Sequence, residues 1–272
     1  MAEIAVEVLG PQVDATGRLE ADSLALVELS LALEERLGVR LPDDGTYETL
    51  PEVVTAVAER GEPPDPLGNG FGRLQWVAEA AFRAPLRWIY RLEVSGAERL
   101  SGSGPAILAS NHDSLMDIPS LVVASPRPVW FMAKVELFRG RAASELFHRF
   151  GGFPVRRDAR DVRAVRSALE VLRRGRVLGM YPEGTRAAHL QPFLPGAAWL
   201  SLATGAPIVP VGVSGTAEAM PRGSRLPRRT SVSVRFGPPI EPGSDGDPRA
   251  RLERAREVTE ELRSAVERLL DQ

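Results

Sequence analysis

Two regimes of apolar spacing divide the chain. Up to about residue 61 the apolar positions recur at helical intervals. "SLALVELSLALEERL", residues 23–37, has Asp22 before it as a cap, Arg36 in its last turn and Gly38 as its stop. Thr49 and Glu52 form a capping box with Pro51 in the first turn, opening a second helix that ends at Gly61. "EIAVEVL" makes a further helix, and a helical turn is expected near Tyr47. "GEPPDPLGNG", residues 61–70, breaks every period and marks a boundary. Beyond it come short β-rich runs, "PAILAS", "RPVWFMA", "GFPVR", "RVLGMY", "APIVPVGV" and "SVSVRFG". Helical patterns lie between several of them, and an amphipathic helix from about Pro248 to Leu270 closes the chain. Strands alternating with helices argue an α/β domain, here a mixed sheet flanked by helices, preceded by a small all-α bundle. The division is 1–61 helical domain, 62–71 linker and 72–272 α/β domain.

Charge sharpens that division. Residues 1–62 hold 4 Arg against 14 Asp and Glu, a net of −10; the whole chain is −2, which leaves +8 for the rest. Opposite signs on one chain favour mutual docking. Of the 34 cationic side chains, only Lys134 is lysine, so a compact ammonium is singled out at that place. Zero cysteines exclude disulfides, thiolate metal sites and a cysteine nucleophile. The three histidines lack metal-ligand spacing, so no metal is expected. The opening "MAEIAVEVLG" does not read as a secretory leader, and the longest uncharged run, residues 187–217, is broken by four prolines. A cytoplasmic protein is the expectation.

The chemistry gathers at strand ends. In "LASNHDSLMDIPS" an apolar strand runs directly into His112, with Asp117 five positions on. Five residues turn an α-helix through about 500°, so the two cannot share one helical face. They meet only if His112 lies on the turn before a helix and Asp117 in its first turns. Strand ends are where α/β folds place their sites. "GGFPVRR" likewise puts Arg157 after a strand, and "YPEGTR" does so with Glu183, Gly184 and Arg186. Ser114 is no hydrolase nucleophile, since neither "SNHDS" nor "GVSGT" is a nucleophile elbow. The lone lysine lacks the glycines of a Walker loop. The basic stretch from Arg139 to Arg176 carries interspersed acids and few aromatics, which fits a solvated helix or an anionic-lipid face better than nucleic acid.

Taken in order, "NHDSLMD", "GGFPVRR", "YPEGTR" and "IVPVGVSG" resemble the four sequence blocks of the glycerolipid acyltransferases that include lysophosphatidate acyltransferases. The resemblance covers residues 72–240. It implies that His112 is the general base, oriented by Asp117. It implies that Arg157, Glu183, Gly184, Thr185 and Arg186, with Lys134, hold the phosphate of the acceptor, and that Pro210 shapes the acyl site. Leu194 stands where related sequences often carry a basic residue, which bears on acceptor identity. "ADSLALVEL" followed by "ALEERLGVRLPDD" resembles an acyl carrier protein, with Ser23 matching the serine that receives 4′-phosphopantetheine from a phosphopantetheinyl transferase. A phosphodiester there would sit at a helix N-terminus, where free N–H groups favour an anion.

The expected function is transfer of an acyl group from a thioester to a lysophospholipid hydroxyl, most simply 1-acyl-glycerol-3-phosphate. The thioester is the fused carrier, another carrier or acyl-CoA. The aromatic, Arg-bearing stretch around Trp76, Phe82, Trp88 and Tyr90 is expected on an anionic membrane surface, at the inner face of the cell membrane. Two alternatives stay open: an acyltransferase for a non-glycerolipid hydroxyl or amine, and a carrier or lipid-binding scaffold without turnover.

Overall fold

The structure is a computed structural model, and it describes residues 2–9, 23–37, 49, 52–53, 86–100, 102–140, 144, 147–148, 151–155, 162–221, 228–243 and 248–272. Its centre is a seven-stranded sheet. The strands are β1 (Glu93–Ser95), β2 (Ala106–Ser110), β3 (Val129–Lys134), β4 (Gly152–Val155), β5 (Val177–Met180), β6 (Ile208–Ser214) and β7 (Ser233–Phe236), in spatial order β1-β7-β6-β2-β5-β3-β4. From β6 to β4 all pairs are parallel; β7 runs antiparallel to β6, with β1 parallel to β7, so the sheet is mixed.

Every residue of β2 is buried, and period-two alternation explains why. Ile107 and Ala109 point to one face and Ala106 and Leu108 to the other, and both faces are covered. On the first face lie α4 (Val162–Arg173), α5 (Gly196–Thr204) and α7 (Pro248–Leu270), packed around Trp130, Leu178 and Ile208. The second is covered by α3 (Asp117–Ala124) through Leu121 and Ala124, against Val129, Phe131, Val177, Val211 and Val213. Leu86 and Tyr90 pack on Val123 of α3, beside α6 (Thr216–Ala219). The five parallel strands β2 to β6 have their C-terminal ends on one edge of the sheet, and there His112 and Glu183 follow β2 and β5 while Lys134 ends β3.

At the other end of the chain, α1 (Ala2–Leu9) and α2 (Ser23–Leu37) pack behind the first helical layer. Their apolar residues belong to the same buried cluster as Trp199, Leu169 and Val258. Every residue of α2 from Leu24 to Ser30 is buried, Glu28 included. The Glu28 carboxylate accepts the Trp199 indole N–H at 2.8 Å and the Arg251 guanidinium at 2.7 and 2.9 Å. Arg166 of α4 donates to Ser30 and lies 3.7 Å from Glu34. These acid-to-arginine contacts follow the sign of the two charged halves. The Thr49–Glu52 capping box is present, each residue's amide donating to the other's side chain at 3.3 and 3.4 Å. The helix it opens beyond Val53, the turn near Tyr47, the 62–71 linker, Trp76 and Phe82 lie outside the described residues.

Candidate active site

The loop from Asn111 to Met116 joins β2 to α3 and folds around one carboxylate. Asp117, fully buried, is the first residue of α3. Its Oδ2 accepts the His112 imidazole at Nδ1 and the amides of Asp113 and Ser114, each at 2.8 Å. Its Oδ1 accepts the Thr216 hydroxyl from α6. Two backbone amides at the head of a helix and two side chains thus fix both oxygens. With Asp117 accepting, the proton sits on Nδ1, and Nε2 of His112 offers a lone pair.

The His112 peptide is held as firmly as its ring. Its N–H donates to Glu183 Oε1 at 2.6 Å, and its C=O accepts the Ala187 amide at 2.9 Å. Both partners come from the loop after β5, so "YPEGTRA" brackets His112 from two sides. The other oxygen of Glu183 accepts the Gln191 amide at 3.0 Å, and the residue is 6% exposed. Gly184 makes the bend, at φ +68°, with its N–H on the Tyr181 carbonyl. The side chain of Asn111 pairs with the main chain of Val213 in both directions, at 2.8 and 2.9 Å, tying the loop to β6. Ser114 closes the loop from the other side, its hydroxyl donating to the Met220 carbonyl at 3.2 Å.

Three carboxylates crowd this imidazole, and the local acidity shows it. Burial first, and then the Asp117 and Glu183 charges, push Asp113 up from 3.8 to about 6, against a hydrogen bond from Asn111 and the nearby His112. Glu183 is raised too, chiefly by burial, while the Gln191 and His112 amides pull it back down. Among the described residues no cluster of three His, Asp or Glu is set to hold a metal ion.

The remaining expected site residues distribute as follows. Lys134 ends β3 beside Val155 of β4 and is exposed. Thr185 and Arg186 are exposed on the β5 loop. Arg157 lies outside the described residues, two positions past the end of β4. Pro210 sits in β6 opposite Ala109, its carbonyl accepting the Gly237 amide at 2.8 Å. Ser23 is the first residue of α2. Glu183 is buried, with one oxygen on the His112 amide and the other on the Gln191 amide. Thr216 and Tyr181 belong to the site and are not singled out by the sequence. Thr216 lies inside "GVSGT", a run whose serine attracts the first reading.

Residues 91–214 match the family model described as Acyltransferase. The chloroplastic 1-acyl-sn-glycerol-3-phosphate acyltransferase of Brassica napus is 32% identical over 140 residues, half of this chain and 40% of that protein. The 1-acyl-sn-glycerol-3-phosphate acyltransferase of Bacillus subtilis is 25% identical over 150 residues, 55% of this chain and 73% of that one. The chain thus spans less than half of the Brassica relative and about three quarters of the Bacillus one. The crystal structure of the 1-acyl-sn-glycerophosphate acyltransferase PlsC from Thermotoga maritima superposes with a TM-score of 0.55 at 27% identity, over 70% of this chain and 80% of that chain. The mixed sheet flanked by helices is the fold of that enzyme, and residues 91–214, which match the Acyltransferase family model, contain the His112–Asp117 pair.

Proposed function

We propose that this chain is an O-acyltransferase that moves an acyl group from a thioester to the free hydroxyl of a lysophospholipid, with 1-acyl-glycerol-3-phosphate as acceptor and phosphatidic acid as product. The observation that carries the reading is His112. Its Nδ1, N–H and C=O are all engaged, and among the described residues nothing is bonded to Nε2, the polar atom left for a substrate. The acceptor hydroxyl gives its proton to Nε2 as its oxygen attacks the thioester carbonyl. The C–S bond then breaks, and the leaving thiolate takes the proton back from the imidazolium. A thioester is already activated, so no acyl-enzyme is required. The arrangement is that of a hydrolase triad with the substrate hydroxyl in place of serine. Lys134 at the end of β3 and Arg186 with the Gly184–Thr185 bend after β5 lie on one edge of the sheet, and with Arg157, outside the described residues, they are the groups proposed to hold the phosphate. Leu194, 60% exposed and with its Cδ1 3.1 Å from where a Cβ on Gly184 would lie, favours the second reading, a non-glycerolipid hydroxyl or an amine as acceptor.

The donor is proposed to be a carrier thioester on Ser23 or acyl-CoA. A phosphodiester on Ser23, the first residue of the fifteen-residue α2, would lie at a helix N-terminus, where the helix dipole favours an anion. Because α2 is buried from Leu24 to Ser30, the arm would extend from a fixed helix. No described helix is long and apolar enough to cross a membrane. Exposed Leu115, Val135, Leu137 and Leu194 fringe the ends of β2, β3 and β5, and they support contact of that edge with an anionic membrane surface. Mass spectrometry of purified protein with acyl-CoA and a panel of lysophospholipids tests the reading. Phosphatidic acid should form, and Arg186→Ala should raise the acceptor KM unless the acceptor lacks phosphate. No product from any lysophospholipid rejects it. A phosphopantetheine mass on wild type, absent in Ser23→Ala, tests the carrier.

A further inference from the structure

Tyr181 lies under the base. Its ring stacks on the His112 imidazole with centroids 4.1 Å apart and planes 20° from parallel. Behind it the Phe131 ring continues the stack at 6.1 Å and 16°. Strand geometry builds this ladder: Val177, Gly179 and Tyr181 fall on one face by the period of two. Gly179 makes room for Phe131, since a Cβ at that position would lie 2.2 Å from the Phe131 ring. The ladder sits over the apolar cluster of Leu108, Leu121 and Val129.

The hydroxyl of Tyr181 tells a different story from its ring. It is buried and has no hydrogen-bond partner among the described residues. Burial, and then the Asp117 charge, push it well above the usual tyrosine range, so it stays a neutral phenol. A buried hydroxyl without a partner is a cost to the fold. What the site uses is therefore the flat aromatic face.

We propose that Tyr181 is a positioning residue for acyl transfer, acting through its ring on His112 and not through its hydroxyl. Asp117 and Glu183 hold His112 at Nδ1 and at its amide, which leaves the ring free to rock about the Nδ1 contact. A face-on aromatic ring removes that freedom and keeps Nε2 aimed at the acceptor. Its negative face also favours the imidazolium during proton transfer. The contribution to turnover rests on the acyl-transfer reading above; the stack itself does not.

The test compares Tyr181→Phe with Tyr181→Leu and with Tyr181→Met, whose flexible chain fills the same space should the leucine variant not fold. Two readouts are taken on the full chain. The first is the His112 ring signal in a proton–carbon correlation spectrum, identified by its loss in His112→Ala. A proton over an aromatic face resonates upfield. That shift should persist in Tyr181→Phe and vanish in Tyr181→Leu and Tyr181→Met. The second is steady-state transfer from palmitoyl-CoA to 1-oleoyl-glycerol-3-phosphate. The phenylalanine variant should keep kcat within about twofold, and the aliphatic variants should lose about tenfold in kcat with KM unchanged. Wild-type kcat in the aliphatic variants, or an equal loss in Tyr181→Phe, would overturn the proposal. If the wild type transfers nothing, the acyl-transfer reading fails and the spectrum alone decides whether the ring positions His112.

Discussion

Asp113 is the most strained carboxylate in the site, and replacing it should stabilise the protein. Its pKa rises from 3.8 to about 6, about two units, and each unit corresponds to about 1.4 kcal/mol of preference for the neutral form. That is about 3 kcal/mol at most. Asp113 is only partly buried, so solvent screening reduces the figure to about 1.5 kcal/mol. The sign follows from proton linkage. A carboxyl whose folded pKa lies above its unfolded value binds more protons when folded between the two values. Stability therefore falls as pH rises from about 4 to about 6, and the strain is present in full above that window. Asp113→Asn removes the charge while keeping the shape. It should be about 1.5 kcal/mol more stable than wild type at pH 7.5, with about half of that advantage gone by pH 5. Urea unfolding of both proteins at the two pH values measures it directly. A variant less stable than wild type at pH 7.5, or an advantage that does not shrink at pH 5, would refute the reasoning.

Thr216→Val keeps the shape of a fully buried side chain and removes the one hydrogen bond that Asp117 Oδ1 receives from it. Hydrogen bonds to charged groups contribute about 1.5–3 kcal/mol, so unfolding in urea should show a loss of that order together with a fall in kcat; unchanged stability would place the hydroxyl outside the network. Glu28→Ala leaves Arg251 and the Trp199 indole without their shared acceptor, at a cost of about 3–5 kcal/mol. Hydrogen exchange should then accelerate in α1 and α2 ahead of the sheet, and equal protection in variant and wild type would show that Glu28 does not lock the layer.

Five of the seven strands, β2 to β6, are legible as largely apolar runs because helices cover both faces of the sheet, and β7 is legible by alternation, with Ser233 and Arg235 half-buried between Val234 and Phe236. The missing one, β1, is three exposed residues, "EVS", and exists only because β7 offers an edge to pair with. The helical span of residues 23–37 is legible in the sequence, but its surroundings are not. Glu28 looks like a solvated acid on a polar stripe, whereas its partners stand 171 and 223 positions away. The same blindness applies in the site. The five-residue interval between His112 and Asp117 is local, and its geometric consequence, a turn followed by a helix start, is what the structure has. Glu183 and Thr216 reach the pair across 71 and 99 residues. A pattern of residue types shows that Glu183 is an acid near a strand end, not that its oxygens face two amides. Tyr181 is harder still, because its part lies in a ring plane.

The central claim is that His112 Nε2 takes the proton of an acceptor hydroxyl, and His112→Ala tests it most directly. Purified wild type and variant are given the same acyl-CoA and 1-acyl-glycerol-3-phosphate, and phosphatidic acid is counted by mass spectrometry alongside the unfolding midpoint of each protein. Loss of a general base should lower turnover at least about 10²-fold while the variant remains folded. Phosphatidic acid formed at the wild-type rate by the alanine variant would contradict the account.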